Sequence, residues 1–530
     1  MKNQKTWAVL GIFLLFAGST VADEQKTNIV FILADDLGWA DVSTGLPNLG
    51  NESDFYETPN LERLAKEGVS FTNVHVQPNC APTRAAILSG QYSARSGNGV
   101  YNVGSLNRGG KRSNGKLVPP EQNQDIPTGT FTLPQGLATV GYVTAHFGKY
   151  HVGGHEGGES TLPQNQGFDF NYGGGAAGHP NGYHAKLKNG RWSFGGRTAS
   201  ELNEFAAPYN RDYVLKHHLP ASLAGTPKHL SDAMCDAFAK FVTQDFANQK
   251  ERPTEAPFYA QIWLYSVHTP IQPSPDMRSH FASKKNSAPS KSGHDNPKYA
   301  GLVGNMDRAV GRVLRTIEDP NGDGDTSDSI AGHTLVVFCS DNGGARQCTS
   351  NRPLRRAKGT FYEGGIRVPM IVRSPGNKSP GGTNNTLIHA VDFFPTFMEL
   401  AENATYYRQL DGKSFAKAIQ NPKEDLHREP IFYHFPGYLD DRAEPCSAVI
   451  KKIGDEFFKL IYYYEEDRSE LYNLSRDIGE TNDLAASDDV STIAAELMSD
   501  IRNWLDQTDP DWKPVFTKTS DGKAVTFPED

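Results

Sequence analysis

The sequence predicts an α/β protein: a mixed, mainly parallel central sheet flanked by helices, with a smaller antiparallel sheet and a helix toward the C-terminus. The first observation behind this is a set of four apolar runs, at residues 28–34, 141–147, 258–267 and 334–340. They are continuous rather than alternating, the pattern of strands buried on both faces. The second is that helical patterns lie between them, including residues 60–66 and 230–243; strands alternating with helices build a sheet covered on both sides. The third is a change of texture after about residue 425, where short strand-like runs at 430–435, 447–450 and 457–464 precede an amphipathic stretch at 490–505.

The chain begins with Lys2 and Lys5, an apolar run from Trp7 to Ala17, and small residues at Thr20 and Ala22. That is the layout of an export signal cleaved after Ala22, and the run is short for a mature membrane span. The expected organisation is a signal peptide at 1–22, a large α/β domain at 23–425 and a C-terminal subdomain at 426–530. An exported protein, periplasmic or secreted and without stable membrane insertion, is the corresponding expectation. The 28 Phe, 21 Tyr and 6 Trp require a large buried core. A formal charge of −9 argues against nucleic acid as a partner, so an anionic ligand must meet a local positive site. Five Cys are too few for a disulfide-built scaffold.

Each apolar run ends in ionisable or polar residues: Asp35-Asp36, then Lys149 and His151, then His268, then Asp341-Asn342. Ligands of open α/β sheets bind at the carboxyl ends of strands, so these residues form the candidate site. Asp35, Asp36, Asp341 and Asn342 are hard oxygen donors, which fit Ca²⁺ or Mg²⁺ rather than Zn²⁺. The Gly- and Pro-rich connections at 105–127 and 153–183 exceed ordinary turns and are expected to wall a binding cleft.

The sharpest motif is Cys80-Ala-Pro-Thr-Arg84, continuing to Leu88, Ser89 and Gly90. This C-x-P-[ST]-R-x-x-x-L-x-G pattern resembles that of the type I sulfatases, formylglycine-dependent enzymes of the alkaline-phosphatase superfamily. Thr83 stands where Ser is commoner and Ser89 where Thr is, while the C-x-P-x-R core is intact. The resemblance implies an alkaline-phosphatase-like fold and oxidation of Cys80 to formylglycine (3-oxoalanine) by a formylglycine-generating or anaerobic maturase enzyme. Such a hydrated aldehyde carries two hydroxyls on one carbon. One attacks sulfur and the other expels sulfate by re-forming the aldehyde, where a serine would be left as a stable ester.

Asp35-Asp36-Leu-Gly38 and Ser340-Asp341-Asn342-Gly-Gly344 match the family's two metal segments. The implied shell is Asp35, Asp36, Asp341, Asn342 and residue 80, around one Ca²⁺ ahead of Mg²⁺. Gly141-Tyr142-Val-Thr144, running into Gly148-Lys149-Tyr-His151, resembles a further signature. By that likeness Lys149 touches sulfate and nucleophile, and His151 takes the proton that collapses the sulfated hemiacetal. The resemblance likewise implies that His268, in an H-x-P segment, donates a proton to the leaving alcohol and that Lys358 binds a sulfate oxygen. Arg84, Lys149, His268 and Lys358 then supply the positive charge that a sulfate needs.

The expected activity is hydrolysis of sulfate esters on a polysaccharide or oligosaccharide. The export signal and the basic clusters at 108–112 and 352–356 point to an algal galactan such as carrageenan, ahead of ulvan or a glycosaminoglycan. Arg352 and Arg355 are expected to add substrate contacts to those of Lys149, His268 and Lys358. A formylglycine-dependent phosphoester or phosphonate hydrolase, and an inactive sulfoglycan-binding relative with unconverted Cys80, are the alternatives. Asp319 to Gly324 imitates the start of an EF-hand, but Ile330 stands where Glu is required, so a surface turn is expected. With Cys80 used for chemistry, four thiols remain. Cys339–Cys348, which would close a short loop beside the second metal pair, is the expected disulfide, with two unpaired buried thiols as the alternative.

Overall fold

The structure is a computed structural model describing residues 26–508 except 45–51, 96, 102–105, 109–116, 118, 197–199, 249–255, 288–289, 291, 378, 403–409, 425 and 427. The expected signal peptide and most of the basic cluster at 108–112 lie outside the described residues. No described helix is long and apolar enough to cross a membrane.

Among the described residues the central sheet has eight strands: β1 (Asn28–Ala34), β2 (Val69–Phe71), β3 (Val143–Gly148), β4 (Phe170–Tyr172), β5 (Phe258–Trp263), β6 (Thr334–Ser340), β7 (Met370–Arg373) and β8 (Gly382–Asn384). Their spatial order is β8-β2-β7-β6-β1-β5-β3-β4. β1 pairs in parallel with β6 and β5, and β3 with β5 and β4, whereas β7 is antiparallel to both neighbours. This is the mixed, mainly parallel sheet expected.

Successive strand residues face opposite sides, and both sides are covered. Ile29, Phe31 and Leu33 face a core shared with α2 (Cys80–Ser89) and α5 (Phe393–Glu402). Val30 and Ile32 face a second core shared with α1 (Pro59–Glu67), α3 (Leu230–Lys240) and α4 (Pro297–Glu318). Two-sided burial is therefore why the strands read as unbroken apolar runs. α4 starts where the Asn296 side chain accepts hydrogen bonds from the Lys298 and Tyr299 N–H groups, with Pro297 in its first turn.

The C-terminal sheet, β9 (Ile431–Phe435), β10 (Cys446–Ile453), β11 (Glu456–Tyr463) and β12 (Arg468–Asn473), is an antiparallel meander. Val449, Leu460 and Leu471 on one face join the first core together with Leu497, Ile501 and Leu505 of α6 (Ser491–Thr508). Ile450 and Ile461 on the other face pack with Phe361 and Ile366. The small sheet is thus separate in pairing but continuous in packing.

The expected Cys339–Cys348 disulfide is corrected: both are free, buried thiols. Cys339 faces the core beside α2 and α5, whereas Cys348 lies in the core on the opposite side of the sheet. The segment from Asp319 is an exposed turn in which Asp319 accepts from the Gly322 and Gly324 N–H groups at 2.8 and 2.9 Å.

Candidate active site

Because β1, β3, β5 and β6 are adjacent and parallel, their carboxyl ends share one edge of the sheet. Asp35 and Asp36 follow β1, Asp341 and Asn342 follow β6, Lys149 follows β3, and His268 lies shortly beyond β5. The segment after Trp263 leaves the sheet yet stays tied to it, the Val267 N–H donating to the Asp35 carbonyl at 2.6 Å. Cys80 is the first residue of α2, so the unsatisfied N–H groups and positive end of that helix favour negative charge beside it. Asp36 and His151 both have positive φ, 63° and 68°, a conformation costly for non-glycine residues and concentrated at functional sites.

The cations are locked in place by carboxylates. Arg84, fully buried, donates from Nε and Nη2 to Asp341 Oδ2 at 3.1 and 2.6 Å and from Nη1 to the Lys149 carbonyl at 2.7 Å. Lys149 Nζ donates to Asp35 Oδ2 at 2.8 Å, both side chains being inaccessible to solvent. Lys358 Nζ bonds Asp36 Oδ1 and stands 3.8 Å from Cys80 Sγ. His268 Nδ1 donates to the Thr269 carbonyl at 2.8 Å, leaving Nε2 turned toward Asp36 Oδ2 at 3.7 Å.

Burial, with Asp341 and Asp36 nearby, pushes the Asp35 carboxyl well above the usual range, and Lys149 offsets only part of this. For Asp36 burial also pulls upward, but Lys358, His268 and Lys149 outweigh it and hold the group ionised. Burial lowers His268 to about 4, against the pull of Asp36. Burial and then Lys149 and Arg84 lower His151 well below the ordinary histidine value.

Asp35 Oδ1 and Asn342 Oδ1 are buried and have no hydrogen-bond partner. Buried polar atoms are rarely left so. One ligand atom each from Asp35, Cys80 and Asp341 lies within 4.8 Å of the others, as do those of Asp35, Asp36 and His268. Orphaned hard oxygens among converging carboxylates fit a divalent cation held by Asp35, Asp36, Asp341 and Asn342.

Cys80, His151, His268 and Lys358 open into a cleft of 890 Å³. The connection after residue 153 forms its wall, contributing His155, Leu162, Gln164, Asn171 and residues 174–179. His155 is fixed by Asp125 through Nδ1 at 2.7 Å, and the His179 ring stacks on His268 with centroids 6.1 Å apart. Neither histidine, nor Arg442 from the C-terminal sheet region, belongs to a local motif; only the fold brings them here.

Arg352 and Arg355 are not brought to the site. Arg352 is exposed and lines neither this cleft nor the cavity beside it. Arg355 donates to the Tyr472 hydroxyl at 2.7 Å and the Glu480 carbonyl at 2.9 Å and lies over the Tyr362 ring. It ties the connection that carries Lys358 to the C-terminal sheet and lines neither cavity.

Residues 27–404 match the family model "Sulfatase", and residues 357–507 match "N-sulphoglucosamine sulphohydrolase, C-terminal". A sulfatase of Formosa agariphila is 39% identical over 93% of this chain and 91% of its own length. Human N-acetylgalactosamine-6-sulfatase is 28% identical over 77% of this chain and 68% of its own. The crystal structure of Ps i-CgsB in complex with k-i-k-neocarrahexaose superposes with a TM-score of 0.65 at 26% identity, covering 91% of this chain and 93% of that one. Members of this family are sulfuric ester hydrolases that generally use formylglycine and a divalent metal. With its family model spanning most of the chain, its alkaline-phosphatase-like sheet and its cysteine-centred carboxylate cluster, the protein belongs to the sulfatase family.

Proposed function

We propose that the chain is exported and hydrolyses sulfate esters on a sulfated polysaccharide or oligosaccharide, an algal galactan such as carrageenan, using formylglycine made from Cys80 and one Ca²⁺. The observation that carries the chemistry is the meeting of Cys80, Lys358 and His268 in one cleft, backed by the buried carboxylates of Asp35, Asp36 and Asp341. When bound, the cation and the aldehyde-derived hydroxyl of residue 80 together supply an activated oxygen nucleophile.

The chain's own residues do the rest. Lys358 reaches residue 80 directly, so it can hold a sulfate oxygen there, and Arg84 keeps Asp341 and the Lys149 backbone in register. His268 holds its Nδ1 proton on Thr269, which leaves Nε2 as the ring atom facing Asp36 and the cleft; Nε2 hands a proton to the leaving alcohol only from the doubly protonated ring, the form that the Asp36 carboxylate favours against burial. His151 is kept neutral by burial and neighbouring cations, which suits a proton acceptor. The polymeric substrate is supported by the roomy cleft and by the carrageenan oligosaccharide bound to Ps i-CgsB. Sulfate release measured on a panel of algal and animal glycans tests the reading: release from carrageenan oligosaccharides is expected, and release from small aryl sulfates alone overturns the polymer.

A further inference from the structure

Beside the catalytic cleft lies a second cavity of 400 Å³ that shares His268, Lys358 and Arg442 with it. Three arginines from three segments line it: Arg346 after β6, Arg356 just before Lys358, and Arg442 from the turn between β9 and β10. Arg442 is set by the catalytic loop itself, since its Cδ occupies the space beside Gly359, where a Cβ would lie 3.0 Å away. Its guanidinium pairs with Asp440 at 2.8 Å. Arg356 is exposed and presented from a left-handed backbone conformation, φ 64°. The guanidinium groups of Arg346 and Arg356 form no ion pair or hydrogen bond among the described residues. Asp36 and Asp441 also line the cavity, Asp36 being bonded to Lys358; Arg346 and Arg356, without carboxylate partners, leave the lining with an excess of positive charge that suits an anion in a chain of net charge −9.

We propose that this cavity is a subsite for a second sulfate half-ester, carried by the sugar next to the one being desulfated; the proposal rests on the sulfatase reading of the neighbouring cleft. The shared wall makes the two cavities contiguous, so a chain whose scissile sulfate lies against Cys80 and Lys358 can pass Arg442 into the second cavity. Guanidinium forks match the oxygens of a sulfate in pairs, a recognition that lysine does not reproduce. The subsite makes the enzyme selective for densely sulfated stretches of glycan.

The test compares galactan oligosaccharides with sulfates on two adjacent sugars against monosulfated counterparts. Arg346→Ala and Arg356→Ala are each expected to lower the ratio of kcat/KM for the two substrates about tenfold, and the double variant about a hundredfold. Loss of fold moves both substrates together and leaves the ratio alone, and Arg346→Gln provides a second variant of nearer size. A ratio unchanged within twofold overturns the proposal, as does equal preference for an oligosaccharide bearing a uronate in place of the second sulfate. Calorimetric binding of the disulfated oligosaccharide to Cys80→Ala protein, with and without the two arginine substitutions, reads the subsite independently. If the parent protein, carrying formylglycine at residue 80, released no sulfate from any glycan, the functional reading would fall, while this binding comparison would still decide the subsite.

Discussion

Two buried charge clusters occupy neighbouring parts of the chain, joined by one segment that carries Lys358 into the first and Glu363 into the second. In the second, every carboxylate oxygen is matched. Glu363 Oε1 accepts from Lys459 at 3.1 Å, while Oε2 meets His75 at 3.0 Å and Arg367 at 2.9 Å. Glu480 Oε1 accepts from Lys459 at 2.8 Å and Oε2 from the Glu363 N–H at 2.7 Å. In the first cluster, equally buried, Asp35 Oδ1 and Asn342 Oδ1 are left over. Both clusters bear the desolvation cost of buried charge. The second cluster leaves only nitrogens over, His75 Nδ1 and Arg367 Nε, and its carboxylates are closed to a cation, whereas the first leaves oxygens that a cation can take.

That contrast is sharpest for Cys80→Ala. Its thiol contributes little packing, so unfolding is expected to stay within about 1 kcal/mol of the parent. Sulfate release should fall by about four orders of magnitude or more, as when a covalent nucleophile is removed. Full-rate release by the variant would break the assignment of residue 80. The mirror experiment is Lys459→Met in the closed cluster. Removing the cation between Glu363 and Glu480 leaves buried negative charge uncompensated and should cost about 3–5 kcal/mol in a urea titration. A change below about 1 kcal/mol would show that this cluster is not closed in the sense argued.

Next in size is the response to divalent ions. Protein stripped by a chelator should lose sulfate release and regain it with Ca²⁺. Its unfolding free energy should rise by about 2.7 kcal/mol at a hundredfold excess over Kd. Asp35→Asn is expected to abolish that rise, whereas Lys459→Met should keep it in full, because the closed cluster has no orphaned oxygen to offer. An equal response in both variants would erase the distinction between the clusters.

Much of this was legible in the sequence because it follows from local rules. β1 and β6 read as unbroken apolar runs because their two faces enter two cores, and the polar residues ending four runs share an edge because those strands are parallel. The C-x-P-x-R pattern placed Cys80 and Arg84 one helical turn apart on α2. What was not legible depends on distant contacts. The short strands β2, β7 and β8 carry too few residues for a period to show. Arg355 looked like a substrate ligand in a basic run, but Tyr472 and Glu480, more than a hundred residues away, turn it inward. Arg442 carries no motif and reaches the cleft only because the small sheet packs against the large one. Cys339 and Cys348 are close in sequence, yet the sheet stands between them.

The smallest expected effect concerns how the closed cluster titrates. Burial raises the Glu480 carboxyl from 4.5 to about 7, Lys459 opposing and Glu363 reinforcing. An acid whose folded value is raised binds its proton more tightly when folded. Between about pH 4.5 and 7 the native state therefore holds more protons at this position than the unfolded chain, and stability falls as pH rises through that window. The contribution is fully present below the unfolded value and gone above the folded one. Taken alone the shift is worth roughly 3 kcal/mol; because Glu480 shares Lys459 with Glu363, whose own carboxyl is held low, the two titrate as a pair and the net change is on the order of 1 kcal/mol. Other carboxylates, Asp36 and Asp232 among them, are held low and lose stability on the acid side, so the total curve mixes signs. The difference between the parent and Glu480→Gln isolates the group: the parent's relative stability should decline from pH 4.5 to 7 and then stay level. A difference that is level across that window and rises with pH only below about 4.5 would mean that Glu480 is ionised and paired in the folded protein.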